Sequence, residues 1–196
     1  MRLFSHIISG MFHPLLMVTY GVVLALTFTY LAIYPPAMKL LLAGGAFLST
    51  AVIPGAAVDM ELSDRHERVV PYLIFITSIM VCAFYMYKMM LPFWFISLLL
   101  GACVALIMAL LINFFWKISA HAIGTGGLLG GIMGVARIHL INPYWAFIIV
   151  ILIAGLVGTS RIFLKRHTPM QVYAGFCLGF ICTFVASFLS YIYLFI

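Results

Sequence analysis

Two histidines and a set of basic side chains stand out in a chain otherwise suited to hydrocarbon. The stretch "SRIFLKRHTPMQ" (160–171) carries Arg161, Lys165, Arg166 and His167 between two long apolar runs. "WKISAHA" (116–122) carries Lys117, Ser119 and His121, and "DMELSDRHER" (59–68) carries Arg65, His66 and Arg68 with all four acidic residues, Asp59, Glu61, Asp64 and Glu67. A guanidinium can grip two phosphate oxygens at once, which an ammonium does less well. One neutral imidazole can attack phosphorus, and a second, protonated, can give the departing oxygen its proton. The cations stabilise charge spread over the equatorial oxygens. Such a set performs phosphoryl transfer without a metal or other cofactor.

Local signals suggest how these side chains are held. Ser119 directly precedes an apolar run and is a favoured N-cap; the N–H groups of the turn that follows can cradle an anion, or the serine can serve as a cap alone. His121 in that turn is a titratable ring at a membrane helix entrance, a position that usually faces water or a site. Thr168, Pro169 and Gln171 fit a Thr-x-x-Gln capping box with proline at the first helical position, which leaves His167 just before a helix start. Arg161, at the end of the preceding span, can reach the same pocket. Alternatively, Arg161, Lys165 and Arg166 are cations snorkelling at the interface. In "HAIGTGGLLGGIMG" (121–134), Gly126, Gly130 and Gly134 are four apart with Gly127 and Gly131 alongside, a pattern for close helix packing and not a nucleotide loop.

The positioning elements are membrane helices. Only 7% of the 196 residues are charged and mean hydropathy is +1.26, far from the quarter charged that is usual in soluble domains. Seven runs have the length a helix needs to cross a bilayer, approximately 14–34, 37–58, 70–87, 92–115, 120–138, 143–159 and 169–195. The expected fold is a single all-α domain over 1–196, a polytopic bundle of about seven transmembrane helices. Residues 1–13, with Arg2, His6 and His13, fit a short amphipathic helix on the interface and lack the pattern of a secretory signal. The net charge of +6 points to anionic lipid headgroups or topology, and nucleic acid binding has no support. Cys82, Cys103, Cys177 and Cys182 lie inside spans as apolar filler, with no disulfide or zinc spacing. Two spans separate each polar stretch from the next, so all three emerge on one face, together with the N-terminus.

The motifs "ISAH" (118–121) and "SRIFLKRH" (160–167) resemble the type 2 phosphatidic acid phosphatase superfamily, which includes lipid phosphatases, undecaprenyl pyrophosphate phosphatases and glucose-6-phosphatase. Its signature is Lys, six residues, Arg-Pro; then Pro-Ser-Gly-His; then Ser-Arg, five residues, His, three residues, Asp. Ser160, Arg161 and His167 match the third part, and the similarity extends from about Asp59 to Gln171. The resemblance implies a haloperoxidase-like helical core, His167 as the nucleophile that becomes phosphohistidine, and His121 as the acid for the leaving group. It also implies that Arg161, Arg68, Ser119 and adjoining N–H groups such as that of Ala120 bind phosphate. The sequence departs from the signature in three places. Glu61 stands where Lys is expected, with Lys117 a possible substitute cation. Ile118 and Ala120 replace Pro and Gly. Gln171 replaces the Asp that orients the nucleophile; its carbonyl can accept the ring N–H but cannot neutralise an imidazolium, and Glu67 or Asp64 could act instead.

The expected activity is hydrolysis of a phosphomonoester or pyrophosphate on a membrane lipid, with the bilayer supplying the substrate and the oligomeric state left open. Alternatives are a protein of the same fold that binds a lipid phosphate without turnover, and an intramembrane prenyltransferase suggested by "DRHERVVP" (64–71). The latter lacks a second acidic cluster, since no Asp or Glu follows Glu67. Lys and Arg number seven on the island face and three opposite. Without the three proposed phosphate ligands that bias is lost, and the resemblance to glucose-6-phosphatase implies an extracytoplasmic site.

Overall fold

The computed structural model describes residues 2–57 and 68–193, and every element among them is helical. In chain order these are α1 (Arg2–Met11), α2 (Pro14–Phe28), a 3-10 turn (Tyr30–Ile33), α3 (Pro36–Phe47), a π turn (Leu48–Val52), α4 (Ile53–Ala57), α5 (Val69–Lys88), α6 (Phe93–Asn113), α7 (Ala120–His139), α8 (Tyr144–Phe163) and α9 (Pro169–Tyr193). Proline sets many of the starts. Pro14, Pro36 and Pro169 open their helices, while Pro92 and Pro143 stand immediately before theirs, positions where a missing N–H costs nothing. The π turn has a similar origin. Pro54 cannot donate to the carbonyl of Thr50 and its ring crowds that oxygen, so the chain widens over Leu48–Val52 and continues as one span.

Among the described residues, five helical stretches are long and apolar enough to cross a membrane: Pro36–Ala56, Val69–Lys88, Phe93–Asn113, Tyr144–Phe163 and Pro169–Ile192. A sixth exists only if α1 and α2, bent by 56° at their junction, count as one. The expectation of seven is thus corrected, for two reasons. The first expected span is cut short at Phe28, where the chain tightens into the 3-10 turn. The fifth exists as α7, but six glycines, two histidines and Arg137 keep its hydropathy low. α7 can be this polar because protein covers it.

α7 and α9 form the most extensive helix pair. A Cβ at Gly126 would overlap the carbonyl of Phe176, one at Gly130 the carbonyl of Phe180, and one at Gly179 the carbonyl of Ile123. At Gly134 it would come within 2.5 Å of Ser187 Cβ. The glycines expected to give close packing do so, and the approach lets Thr183 Oγ1 donate to the carbonyl of Gly127 on the facing helix at 2.9 Å. This backbone-to-backbone contact fixes the start of α7 against the start of α9, where the conspicuous histidines lie.

α1 buries Ser5, Ile8 and Ser9 and leaves Leu3, Phe4, Ile7 and Met11 exposed together with Arg2 and His6. The expected amphipathic helix is present, packed across α8 with its serines turned inward.

Candidate functional site

The turn from α8 to α9 is built from two helix caps set end to end. α8 stops in a Schellman motif: the Lys165 N–H donates to the carbonyl of Ile162 at 2.9 Å and the Arg166 N–H to that of Arg161 at 3.1 Å. The left-handed position of this motif usually holds glycine, but here it holds Lys165, at φ 54°. α9 begins with the expected capping box. Thr168 N–H donates to Gln171 Oε1 at 3.1 Å, and Gln171 N–H donates to Thr168 Oγ1 at 3.4 Å. His167 is the single residue between the two caps, and its N–H reaches the Arg161 carbonyl at 3.3 Å. Six residues apart in sequence, Arg161 and His167 are drawn together by the way one helix ends and the next begins.

A backbone bond couples this turn to the start of α7. The Ser119 N–H donates to the Gln171 carbonyl at 3.3 Å, and Ser119 Oγ caps α7 by accepting from the Ala122 N–H at 3.4 Å. Ser119, fully buried, is engaged as a cap and as a tie between the second and third polar stretches. His121 and Arg161 are buried, as is Ser160 beside Arg161 in the last turn of α8. From the first stretch, Arg68 is buried at the start of α5 and lines a small cavity with Pro71, Tyr72 and Ala120. Asp59, Glu61, Asp64, Arg65, His66 and Glu67 lie outside the described residues. Lys117, half-buried, is close enough for its pKa to be lowered by burial and by the charges of Arg68, Arg166 and Arg161.

His167 is 6% exposed. Its Nδ1 lies 3.2 Å from Gln171 Oε1, and a carbonyl oxygen only accepts, so Nδ1 carries the hydrogen and Nε2 the lone pair. Burial, then the nearby charges of Arg161 and Arg68, push its pKa down from the usual 6.5 to about 3, with Lys117 acting in the same direction and the bond to Gln171 opposing it. The ring is neutral at physiological pH. Gln171 Oε1 thus serves both the cap and the histidine.

Two participants come from a segment with no recognised motif. Ser9, on the inward face of α1, accepts a hydrogen bond at its Oγ from Arg161 Nη1 at 2.9 Å, and its carbonyl accepts from His121 Nε2 at 3.2 Å. The His13 ring meets that of His121 edge to face, centroids 5.4 Å apart, while its Nδ1 caps α2 at the Leu15 N–H. His13 was legible as polar, but nothing local pointed it at His121. Tyr72 is the third addition. It is buried, and its hydroxyl has no hydrogen-bond partner among the described residues although it lines the cavity beside Arg68.

The assembled group therefore has three histidines, of which His167 is a neutral imidazole with its lone pair on Nε2, and three cations, next to a serine that engages the arginine and histidine of the inner wall. Comparison with protein-family models, with curated proteins and with solved structures gives no match.

Proposed function

We propose that the protein is a membrane-embedded phosphatase acting on a phosphomonoester or terminal pyrophosphate of a lipid, through a phosphohistidine on His167. The observation that carries this reading is the state of His167, a neutral ring whose Nδ1 hydrogen is held by Gln171, surrounded by Arg161, Arg68 and Lys117. An uncharged nucleophile amid cations suits an anionic electrophile. In the first step the Nε2 lone pair forms a bond to phosphorus while the bond to the leaving oxygen breaks, and that oxygen takes its proton from His121, which must acquire it together with the anionic substrate because burial and the charge of Arg161 favour the neutral ring without one. In the second, water attacks the phosphohistidine, gives a proton to His121, and phosphate leaves as His167 is restored. Arg161 and Arg68 hold the equatorial oxygens, with Lys117 and the N–H of Ala120 contributing at the α7 end. Ser9 must yield, because its hydroxyl and carbonyl occupy the two groups assigned to phosphate and leaving oxygen.

The resemblance of "SRIFLKRH" and "ISAH" to the type 2 phosphatidic acid phosphatase motifs supports the same roles. A substrate already dissolved in the bilayer fits a site at the ends of membrane helices, and an extracytoplasmic orientation accords with that resemblance. A reporter fused to the C-terminus is then active in the cytoplasm.

A specific feature favours a second reading, binding without turnover. Gln171 shares one oxygen between Thr168 N–H and His167 and cannot offset a developing positive charge. Phosphate release from a panel of lipid phosphates, in the presence of chelator, separates the two. A phosphatase loses turnover in His167→Ala and in His121→Ala while folding normally. A wild type that binds a lipid phosphate and releases none from any member of the panel is a binding protein.

A further inference from the structure

A cavity of ≈ 140 Å³ runs beside α7, walled by α2, α5 and α6. It begins at Ala120 and Pro14, next to His121 and His13, and continues to Ile141 and Pro143 past the other end of α7. At 1.5 Å per residue the twenty residues of α7 make this about 30 Å, so the space is long and narrow. No charged residue lines it, and the hydroxyls among its lining belong to Thr29 and Thr183. Both are satisfied by backbone carbonyls, Thr29 by Ala25 at 2.6 Å and Thr183 by Gly127 and Gly179 at 2.9 Å. Water would find few partners along such a wall, and apolar cavities of this kind accept apolar ligands.

Glycine usage supplies a separate indication. Gly126, Gly130 and Gly134 are required where they stand, because a Cβ would collide with α9. Gly127 and Gly131 are not. A Cβ at Gly127 would meet Thr183 Cγ2 at 3.5 Å, and one at Gly131 would meet Leu98 Cδ2 at 3.5 Å, both ordinary contact distances. These two glycines line the cavity, and a larger side chain at either would fill part of it.

We propose that this cavity seats the hydrocarbon chain of the substrate, so that the protein acts on an anionic lipid with one long chain drawn into the bundle and its phosphate at the histidines. The phosphate end rests on the function proposed above. The chain end rests on continuity: Ala120 borders both the long apolar cavity and the small one containing Arg68. A chain entering at Ala120 passes Gly131 about 16 Å further on, eleven residues along α7. A cavity of ≈ 140 Å³ encloses only part of such a chain, and the remainder lies outside it.

The test uses full-length protein in nanodiscs with octyl phosphate and octadecyl phosphate. Three variants are compared with wild type: Gly131→Leu, Ala102→Phe from the α6 wall of the cavity, and Gly155→Leu, where an added Cβ meets nothing within 4 Å. Phosphate release and retention of the intact lipid by native mass spectrometry are both measured. Gly131→Leu and Ala102→Phe are expected to lower kcat/KM for the octadecyl compound by about tenfold or more while leaving the octyl compound unchanged, and Gly155→Leu to behave as wild type. If release proceeds and neither blocking variant alters the chain-length profile, the chain lies elsewhere and the inference is overturned, with the phosphatase reading intact. If no protein releases phosphate but the blocking variants lose octadecyl phosphate that wild type retains, the chain site stands and hydrolysis falls. Agreement between variants on two different helices guards against misfolding of either one.

Discussion

Replacing Ser9 by alanine tests whether the groups it engages are those that receive phosphate. Ser9 Oγ accepts from Arg161 Nη1 at 2.9 Å in a buried setting. A hydrogen bond to a charged group is worth about 1.5–3 kcal/mol. Alanine removes it, so the empty protein loses roughly that much stability and Arg161 loses one of its partners. A bound anion restores a partner to the guanidinium and no longer has to displace the serine. Affinity for orthovanadate or inorganic phosphate should therefore rise by roughly 10- to 150-fold as thermal stability falls, since each 1.4 kcal/mol is a factor of ten. Ser5→Ala, one turn earlier on the same buried face, is the control and should leave anion affinity unchanged. Titration calorimetry and thermal unfolding on the same samples give both quantities. An affinity that falls together with stability would mean that Ser9 helps to hold the anion. An unchanged affinity would mean that phosphate does not go where the serine sits, and either result refutes the assignment.

Further outcomes follow from the same geometry. The His167 pKa is about 3 in the folded protein against about 6.5 unfolded, so on acidification the unfolded chain takes up a proton that the folded one refuses. His167 then contributes stability that is full above pH 6.5 and is lost as pH falls toward 3, about 2 kcal/mol of it between pH 7 and 5; unfolding of His167→Asn should show that much less dependence on pH. Lys165→Gly should stabilise by about 1 kcal/mol, because it relieves a left-handed residue, measured as a higher unfolding midpoint with unchanged anion binding. Gly130→Ala should destabilise by about 1–3 kcal/mol or more through its clash with the Phe180 carbonyl, whereas Gly131→Ala should be close to neutral in the same unfolding assay.

Those two glycines also show how far the sequence could be read. Glycine at fourfold spacing announces that a helix will come close, and α9 does. It does not say which neighbouring glycines face the partner and which face a void, because that depends on the rotation of α7 within the bundle. The Thr168–Gln171 cap was legible because its donors and acceptors are three residues apart and the pattern is local. The Schellman stop at Lys165 was not, since glycine, its usual marker, is missing. Ser9 could not have been found from its surroundings. It meets Arg161 across 152 positions, and a serine on a short amphipathic helix ordinarily faces water. The count of spans went astray at α2 and α7, where apolar length alone was a poor guide. One helix gives way to a tight turn, and the other is sheltered by its neighbours and needs less hydrophobicity of its own.

The outer face of α1 ties the surroundings of the protein to its chemistry. Ser9 is held from within by Arg161 at its hydroxyl and His121 at its carbonyl, while Leu3, Phe4, Ile7 and Met11 are exposed. If those four side chains rest in acyl chains, the packing of α1 on α8, and with it the engagement of Arg161 by Ser9, depends on the surrounding lipid, and anion affinity should differ between nanodiscs and detergent micelles.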